Sequence, residues 1–358
     1  MPKFALQLSL CAVLLLSAAP ARSEVLSSYF LSDTDPAHLR TISKLFEIEH
    51  RLGKGFEVEV PASQADLLLA LAPSAQLLEK DVSKAIQDKL QGFRLMAGTD
   101  ANRYHSFDEV QAWMHSLETA QPDFAKVLDY GVSRAGHALT ALHIGSGASQ
   151  GKPVVVITAA THGDELITTE VLMNLVNRLV SGYHKEDRLT KIVDSHDIYF
   201  IPVVNPDGFT QTNRYDGPAD PNRSYPYPQH EQATPTPSIA GVVKLFSSLD
   251  MKASIDFHAY GELIMYPWAY TRDSVEPVAA GRFNALTKNM AESNRYTYGP
   301  ISDVIYIAPG SSADYYFWKK GSISLGIEIG SEKVPSPSEF PEYFVSQEES
   351  TWRFIEGI

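Results

Sequence analysis

The chain has 358 residues, 44% of them hydrophobic and 20% charged, with a formal net charge of −13. That composition excludes disorder and collagen-like order and supplies enough apolar material for one large core or two smaller ones. The acidic balance repels phosphate backbones, so nucleic acid is not an expected partner.

The chain opens with an export pattern: Lys3 precedes an apolar run from Leu8 to Leu16, and Ala18, Ala19 and Ala21 follow. Residues 1–23 are therefore read as a signal peptide and the protein as periplasmic or extracellular. The run is too short to span a bilayer, which takes about 20 apolar residues, and no later stretch does better. The single cysteine, Cys11, lies inside that run. The mature chain is thus expected to have no disulfide and no thiolate for a metal or for nucleophilic catalysis.

Residues 24–82 read as a small α+β unit, with the order strand, helix, strand, helix and a further strand. Leu39, Ile42, Leu45, Phe46 and Ile48 have helical spacing, broken by Gly53 and Gly55. Phe56, Val58 and Val60 alternate with Glu57 and Glu59 as in a half-buried strand. Ser63 and Asp66 start a helix carrying Leu67 to Leu71. A polar stretch around residues 83–103 reads as a connector, either a helix joining two packed units or a site of proteolytic nicking.

From residue 104 to 358 strands and helices alternate, which predicts an α/β domain with a mixed, mostly parallel central sheet flanked by helices. Strands are expected at Val154–Ala160, Ile198–Val204, Ala253–Phe257 and Ser322–Ile329, and their continuous apolar runs predict burial on both faces. A helix is expected over Leu166–Leu179.

The candidate chemistry lies just past the carboxyl ends of these strands, where open α/β sheets place ligands. The first strand runs into Thr161-His162-Gly163-Asp164-Glu165, so His162 and Glu165 stand on a strand-to-helix turn, and His258 follows the third strand. Two histidines and one carboxylate suit one zinc ion with a fourth position left for water. His115 and Glu118 have the same spacing but lie in an amphipathic helical stretch, Phe107–Ala120, and are read as surface residues. Taken alone, His258 reads as a core histidine bonded to the backbone, and only beside the other residues does it read as a ligand. Glu328, alone in the apolar run Ile323–Ile329, is hard to explain structurally, because an unpaired buried carboxylate is costly.

The segments Asn205-Pro206-Asp207-Gly208, Asp220-Pro221-Asn222-Arg223, Met265-Tyr266-Pro267-Trp268, Ile305-Tyr306 and Ile327-Glu328-Ile329 occur in that order. In this the chain resembles the zinc metallocarboxypeptidases, relatives of carboxypeptidases A and B and of carboxypeptidases E and N, over roughly residues 104–358. The resemblance implies a hydrolase that releases single amino acids from peptides with a free C-terminal carboxylate. His162, Glu165 and His258 match the ligands of its one zinc ion, and Asp220 matches the acid that orients the first histidine. Glu328 matches the general base and Arg214 the arginine that stabilises the oxyanion. Asn222 and Arg223 match the pair that holds the terminal carboxylate, Tyr306 the mobile tyrosine that closes over the bound residue, and Ala313 the specificity position.

At that last position the basic-specific relatives carry an aspartate, so Ala313 suggests a neutral or apolar pocket, with Asp303 and Glu262 as acids that could still reach it. Asp164 replaces the arginine of the pancreatic enzymes and resembles the E/N and bacterial murein-peptide branches. A cell-wall peptidase acting on γ-D-glutamyl-diaminopimelate-type bonds is thus the alternative function; a zinc deacylase and a metal-dead binding module are weaker rivals. Residues 24–82 sit where many members carry an activation domain, which implies a cover over the active site in cis.

Overall fold

The computed structural model describes residues 24–32, 36–43, 45–52, 55–96, 102–147 and 151–358. The signal pattern and Cys11 lie outside the described residues. So do Gly53 and part of the connector, residues 97–101.

Four strands form the N-terminal sheet: β1 (Leu26–Leu31), β2 (Glu47–Leu52), β3 (Gly55–Pro61) and β4 (Gln76–Glu79). They lie in the order β2-β3-β1-β4, and all three pairings are antiparallel. Two helices, Pro36–Ile42 and Ala65–Leu71, complete the unit. Alternation along β3 sends Val58 and Val60 into a core with Leu31, Ile42 and Leu68. The helical spacing expected to run through Ile48 stops at Ile42, because Glu47–Leu52 is instead the first strand of a hairpin with β3. An apolar residue such as Ile48 fits either period over so short a stretch. The connector is helical over Val82–Met96, and its Ile86 joins the core of the larger unit.

Eight strands build the larger sheet: β5 (Ala125–Val132), β6 (Ala138–Ile144), β7 (Val154–Thr158), β8 (Asp197–Ile201), β9 (Met251–His258), β10 (Leu263–Tyr266), β11 (Thr297–Pro300) and β12 (Ile323–Glu328). Their order is β11-β10-β12-β9-β7-β8-β6-β5. The centre, β12-β9-β7-β8, is parallel throughout; β10 joins β12, and β6 joins β8, in antiparallel fashion. The mixed, mostly parallel sheet read from the sequence is therefore present.

Burial on both faces follows the two-residue period. Val155 and Ile157 of β7 pack beneath Val171, Leu172 and Leu175 of the helix Leu166–Gly182, together with Phe283 and Phe354 from later helices. Val154 and Val156 face the opposite layer, with Ile239, Phe246 and Tyr316. At roughly 25 cal/mol per Å² of apolar surface, each such buried aliphatic side chain contributes about 1.5–3 kcal/mol. This core fixes the strand ends that carry the site.

Candidate active site

Three adjacent parallel strands end at one place. Past β7 the chain turns through Ala159–Asp164, and Glu165 stands directly before the helix Leu166–Gly182. The turn is pressed against the Asn205-Pro206-Asp207-Gly208 segment so closely that a Cβ on Gly163 would lie 2.1 Å from the Gly208 carbonyl carbon. Only glycine fits there. His258 ends β9, and Glu328 ends β12 directly opposite it in the strand register.

His162 Nδ1 lies 2.7 Å from Glu165 Oε1, while His258 Nδ1 lies 3.1 Å from Glu165 Oε2 and 3.2 Å from His162 Nδ1. All three side chains are buried. Outward from this cluster, His162 Nε2 lies 3.2 Å from Asp220 Oδ1, and His258 Nε2 lies 3.1 Å from Asp256 Oδ2. A carboxylate facing each Nε2 places the proton there, so the two Nδ1 lone pairs point at one another and at Glu165. That arrangement is repulsive unless positive charge lies among them. A tetrahedral shell with bonds of about 2.0–2.1 Å has edges of about 3.3 Å, close to the separations seen, so the residues fit a zinc ion.

The electrostatics agree in direction. Burial and Arg214 oppose protonation of His162, yet Glu165 and Asp220 outweigh them and raise it to about 9. Burial likewise opposes a charged His258, and Asp256 and Glu165 override it. Burial works against ionisation of Glu165, but the two histidines hold it well below the carboxylate range. The protein groups alone thus make a site that stabilises a cation.

Asp256 was not singled out in the sequence, although it stands two residues before His258 and so on the same face of β9. Its carboxylate is fully occupied: Thr158 and Thr161 donate hydroxyls to Oδ1 at 2.7 and 2.8 Å, and Ser312 donates to Oδ2 at 2.8 Å. Asp220, expected as the partner of His162, also accepts from the Asn222 backbone N–H at 2.8 Å and from Arg214 Nε and Nη2 at 3.0 and 2.9 Å. The same guanidinium reaches within 3.6 Å of Glu165. Arg214 is therefore buried beside the ligand cluster.

Asn222, Arg223, Tyr306 and Glu328 line the same cavity as the three ligands and Arg214. Asn222 Oδ1 accepts from the Ser312 N–H at 2.9 Å, and its Nδ2 stands 3.1 Å from His258 Nε2. Arg223 Nη2 donates to the Tyr306 hydroxyl at 2.9 Å. Gly310 explains how the arginine is seated: its φ is +87°, and a Cβ there would lie 2.4 Å from the Arg223 carbonyl oxygen. Glu328 keeps part of its surface open to the cavity. Burial pushes its carboxyl up to about 7, with His258 opposing and Glu165 adding to the effect.

The cavity's apolar wall is Met265, Ile301, Ile305 and Ala308, and Gly326 of β12 leaves open space, since a Cβ there meets no atom within 4 Å. Ala313 is buried behind this wall, packed with Met265, Ile301 and Ala308. Neither Asp303 nor Glu262 lines the cavity: Asp303 is exposed and lies 3.6 Å from the exposed Arg272, and Glu262 is exposed. His115 and Glu118 form the surface pair expected of them, 3.5 Å apart with His115 59% exposed.

The strand ends and the two-histidine, one-glutamate cluster define a mononuclear zinc hydrolase on a mixed α/β sheet. Residues 110–350 match the family described as Peptidase_M14, zinc carboxypeptidase, and the chain belongs to it. Metallocarboxypeptidase A of Trichophyton tonsurans is 30% identical over 311 residues, which cover 74% of each chain. Carboxypeptidase B of Astacus astacus is 30% identical over 261 residues, covering 62% of this chain and 83% of that one.

Among solved structures, carboxypeptidase A from Helicoverpa armigera superposes with a TM-score of 0.78 at 18% identity, over 94% of this chain and 98% of that one. Thrombin activatable fibrinolysis inhibitor gives a TM-score of 0.72 at 18% identity, over 93% and 98%. Residues 104–358 alone could not supply such coverage, so the likeness in fold extends into the N-terminal sheet. The protein is a zinc metallocarboxypeptidase: it removes C-terminal residues, with His162, Glu165 and His258 as its zinc site.

Proposed function

We propose that this carboxypeptidase takes peptides with a free C-terminal carboxylate and an apolar or neutral last residue. Arg223 carries the reading: beside Tyr306 it lines a cavity whose wall is apolar, and the acids there, Glu165 and Glu328, are assigned to the zinc and to the base. A guanidinium can grip a carboxylate with two parallel bonds, which an amide terminus cannot return. Tyr306, now bonded to Arg223, exchanges that partner for the incoming carboxylate and closes over the last residue, and Asn222 completes the clamp.

When bound, the zinc ion supplies Lewis-acid polarisation of the scissile carbonyl and a water of lowered pKa. Glu328 takes a proton from the attacking water and returns it to the leaving amine; a carboxyl held near neutrality suits both transfers. Arg214, fixed by Asp220, stands where negative charge develops on the carbonyl oxygen.

The N-terminal sheet covers this cleft in cis and is released by cutting the connector after Met96. Tyr306 supports that reading, since its ring packs against the core of the N-terminal unit. Export fits the residue 1–23 pattern, and no helix among the described residues is long and apolar enough to cross a membrane.

The test is mass spectrometry of a peptide panel with free and amidated C-termini, with and without chelator, before and after limited proteolysis. Stepwise loss of apolar residues from free acids alone, stopped by chelation and increased by nicking, is the expected result. Equal cleavage of amidated peptides, or a preference for terminal lysine and arginine, refutes the assigned roles.

A further inference from the structure

Arg214, Asp220, Asn222 and Arg223 lie close together in the chain, on a segment with little regular structure. Its helical piece is the three-residue Pro221–Arg223. Side chains on such a segment keep a working geometry when its backbone is fixed to something rigid.

The helix Pro237–Ser247 is that support. Its Ile239, Val242 and Phe246 are buried with Val154 and Val156 of β7, the strand that leads to His162 and Glu165. The start of this helix is not capped from within: Thr236, at the N-cap, makes no side-chain cap bond, and Pro237 has no N–H. Two residues of the site segment take up the amides there. Asp216 Oδ2 accepts from the Ser238 N–H at 3.1 Å, and Ser224 Oγ accepts from the Thr236 N–H at 3.2 Å.

Asp216 is fully buried, and its own N–H donates to the Ala219 carbonyl at 3.0 Å, closing the turn that leads into Asp220. Its Oδ1 has no partner. A buried carboxylate with one hydrogen bond is a costly cap, even where a helix N-terminus favours its charge. Its position explains it, since it stands two residues after Arg214. The Arg214 carbonyl is met by the Gly163 N–H at 3.4 Å and by Asn205 Nδ2 at 3.5 Å, both long bonds. At the other end, the Ser224 hydroxyl donates to the Pro221 carbonyl at 2.8 Å, which ties the Pro221–Arg223 turn to the same helix. The segment is thus pinned beside each of its two arginines.

We infer that Asp216 and Ser224 are positioning residues: Asp216 fixes the backbone that aims Arg214 at the developing oxyanion, and Ser224 fixes the turn that presents Arg223 to the terminal carboxylate. The inference rests on the roles proposed above for those two arginines. Neither Asp216 nor Ser224 lines the cavity, so each acts through its neighbour. One helix thereby registers both arginines against the strand that brings the first two zinc ligands.

The test uses the full chain after limited proteolysis, in saturating zinc, on a free-acid peptide ending in leucine. Wild type is compared with Asp216→Ala, Asp216→Asn and Ser224→Ala, with Arg214→Ala and Arg223→Ala as references. Expressing kcat per bound zinc ion removes unfolded material from the count. Asp216→Ala should lower kcat about 10- to 100-fold, the cost of misplacing a group by about 1 Å, and change KM by under about threefold. Ser224→Ala should do the reverse, raising KM about 5- to 20-fold with kcat within about threefold. Asp216→Asn, whose amide oxygen still accepts from Ser238, should recover most of kcat. Should Asp216→Ala not fold, Asp216→Ser, whose oxygen lies one bond closer to the backbone, makes the same prediction for kcat. Parallel effects of the Asp216 and Ser224 variants on kcat and KM, as loss of a shared helix cap would give, overturn the inference. So does a wild-type kcat per zinc in Asp216→Ala. Unchanged kcat in Arg214→Ala, or unchanged KM in Arg223→Ala, instead refutes the proposed role of that arginine, an outcome read on separate variants.

Discussion

Glu328→Gln is expected to stabilise the metal-free protein while removing its activity. Burial raises the Glu328 carboxyl from 4.5 to about 7. A raised carboxyl binds its proton more tightly in the folded than in the unfolded chain, so stability is lost as pH climbs from the unfolded toward the folded value. At 1.36 kcal/mol per unit the loss is about 3 kcal/mol above pH 7 and under about 1 kcal/mol at pH 5. The figure is an upper bound, because part of the side chain faces the open cavity. Glutamine carries no charge at either pH. Urea unfolding followed by tryptophan fluorescence in chelator should therefore show the variant ahead of wild type at pH 8, with the gap closing at pH 5. Saturating zinc should shrink the gap at pH 8, since a cation beside Glu328 offsets the burial cost. Turnover of the zinc-loaded variant should fall by about 10²–10⁴, the usual contribution of a positioned base. A stability difference of the same size at both pH values, or a variant less stable at pH 8, would refute the reasoning.

Asp256→Asn should weaken zinc binding about 10- to 100-fold in competition with a chromogenic chelator, because His258 loses the carboxylate that fixes its tautomer. Arg223→Ala should cut kcat/KM on free-acid peptides by about 30- to 100-fold, mostly through KM, and leave zinc affinity unchanged, a split that steady-state kinetics and the chelator assay together can read. Gly310→Ala should cost about 1–3 kcal/mol in thermal unfolding, from the positive φ and the 2.4 Å approach to the Arg223 carbonyl. It should also raise KM, because the substitution displaces the arginine.

Much of the site was legible because its residues sit where strand ends make position informative. His162 with Glu165, and His258, each follow a run of buried residues that could only be a central strand, and Glu328 closes another. Asp256 was missed: the two-residue period of β9 puts it on the face of His258, but it carries no spacing of its own. The ion pair between Glu59 of the N-terminal sheet and Lys333 of the larger unit had no local signal at all, since 274 residues separate its members. The short strands Leu263–Tyr266 and Thr297–Pro300 are too brief to show a period. Ala313, expected in the substrate cavity, lies just behind its wall, because the helix Ser312–Lys320 presents the residue to the core and not to the opening.

Gly326 and Glu328 share one face of β12, a single pleat apart, so the proposed base and the proposed space for the last residue hang from the same rigid strand. A methyl group at position 326 meets no atom within 4 Å. On the proposed reading of this cavity, Gly326→Ala narrows the space for the last residue while the fold and the zinc ligands stay as they are.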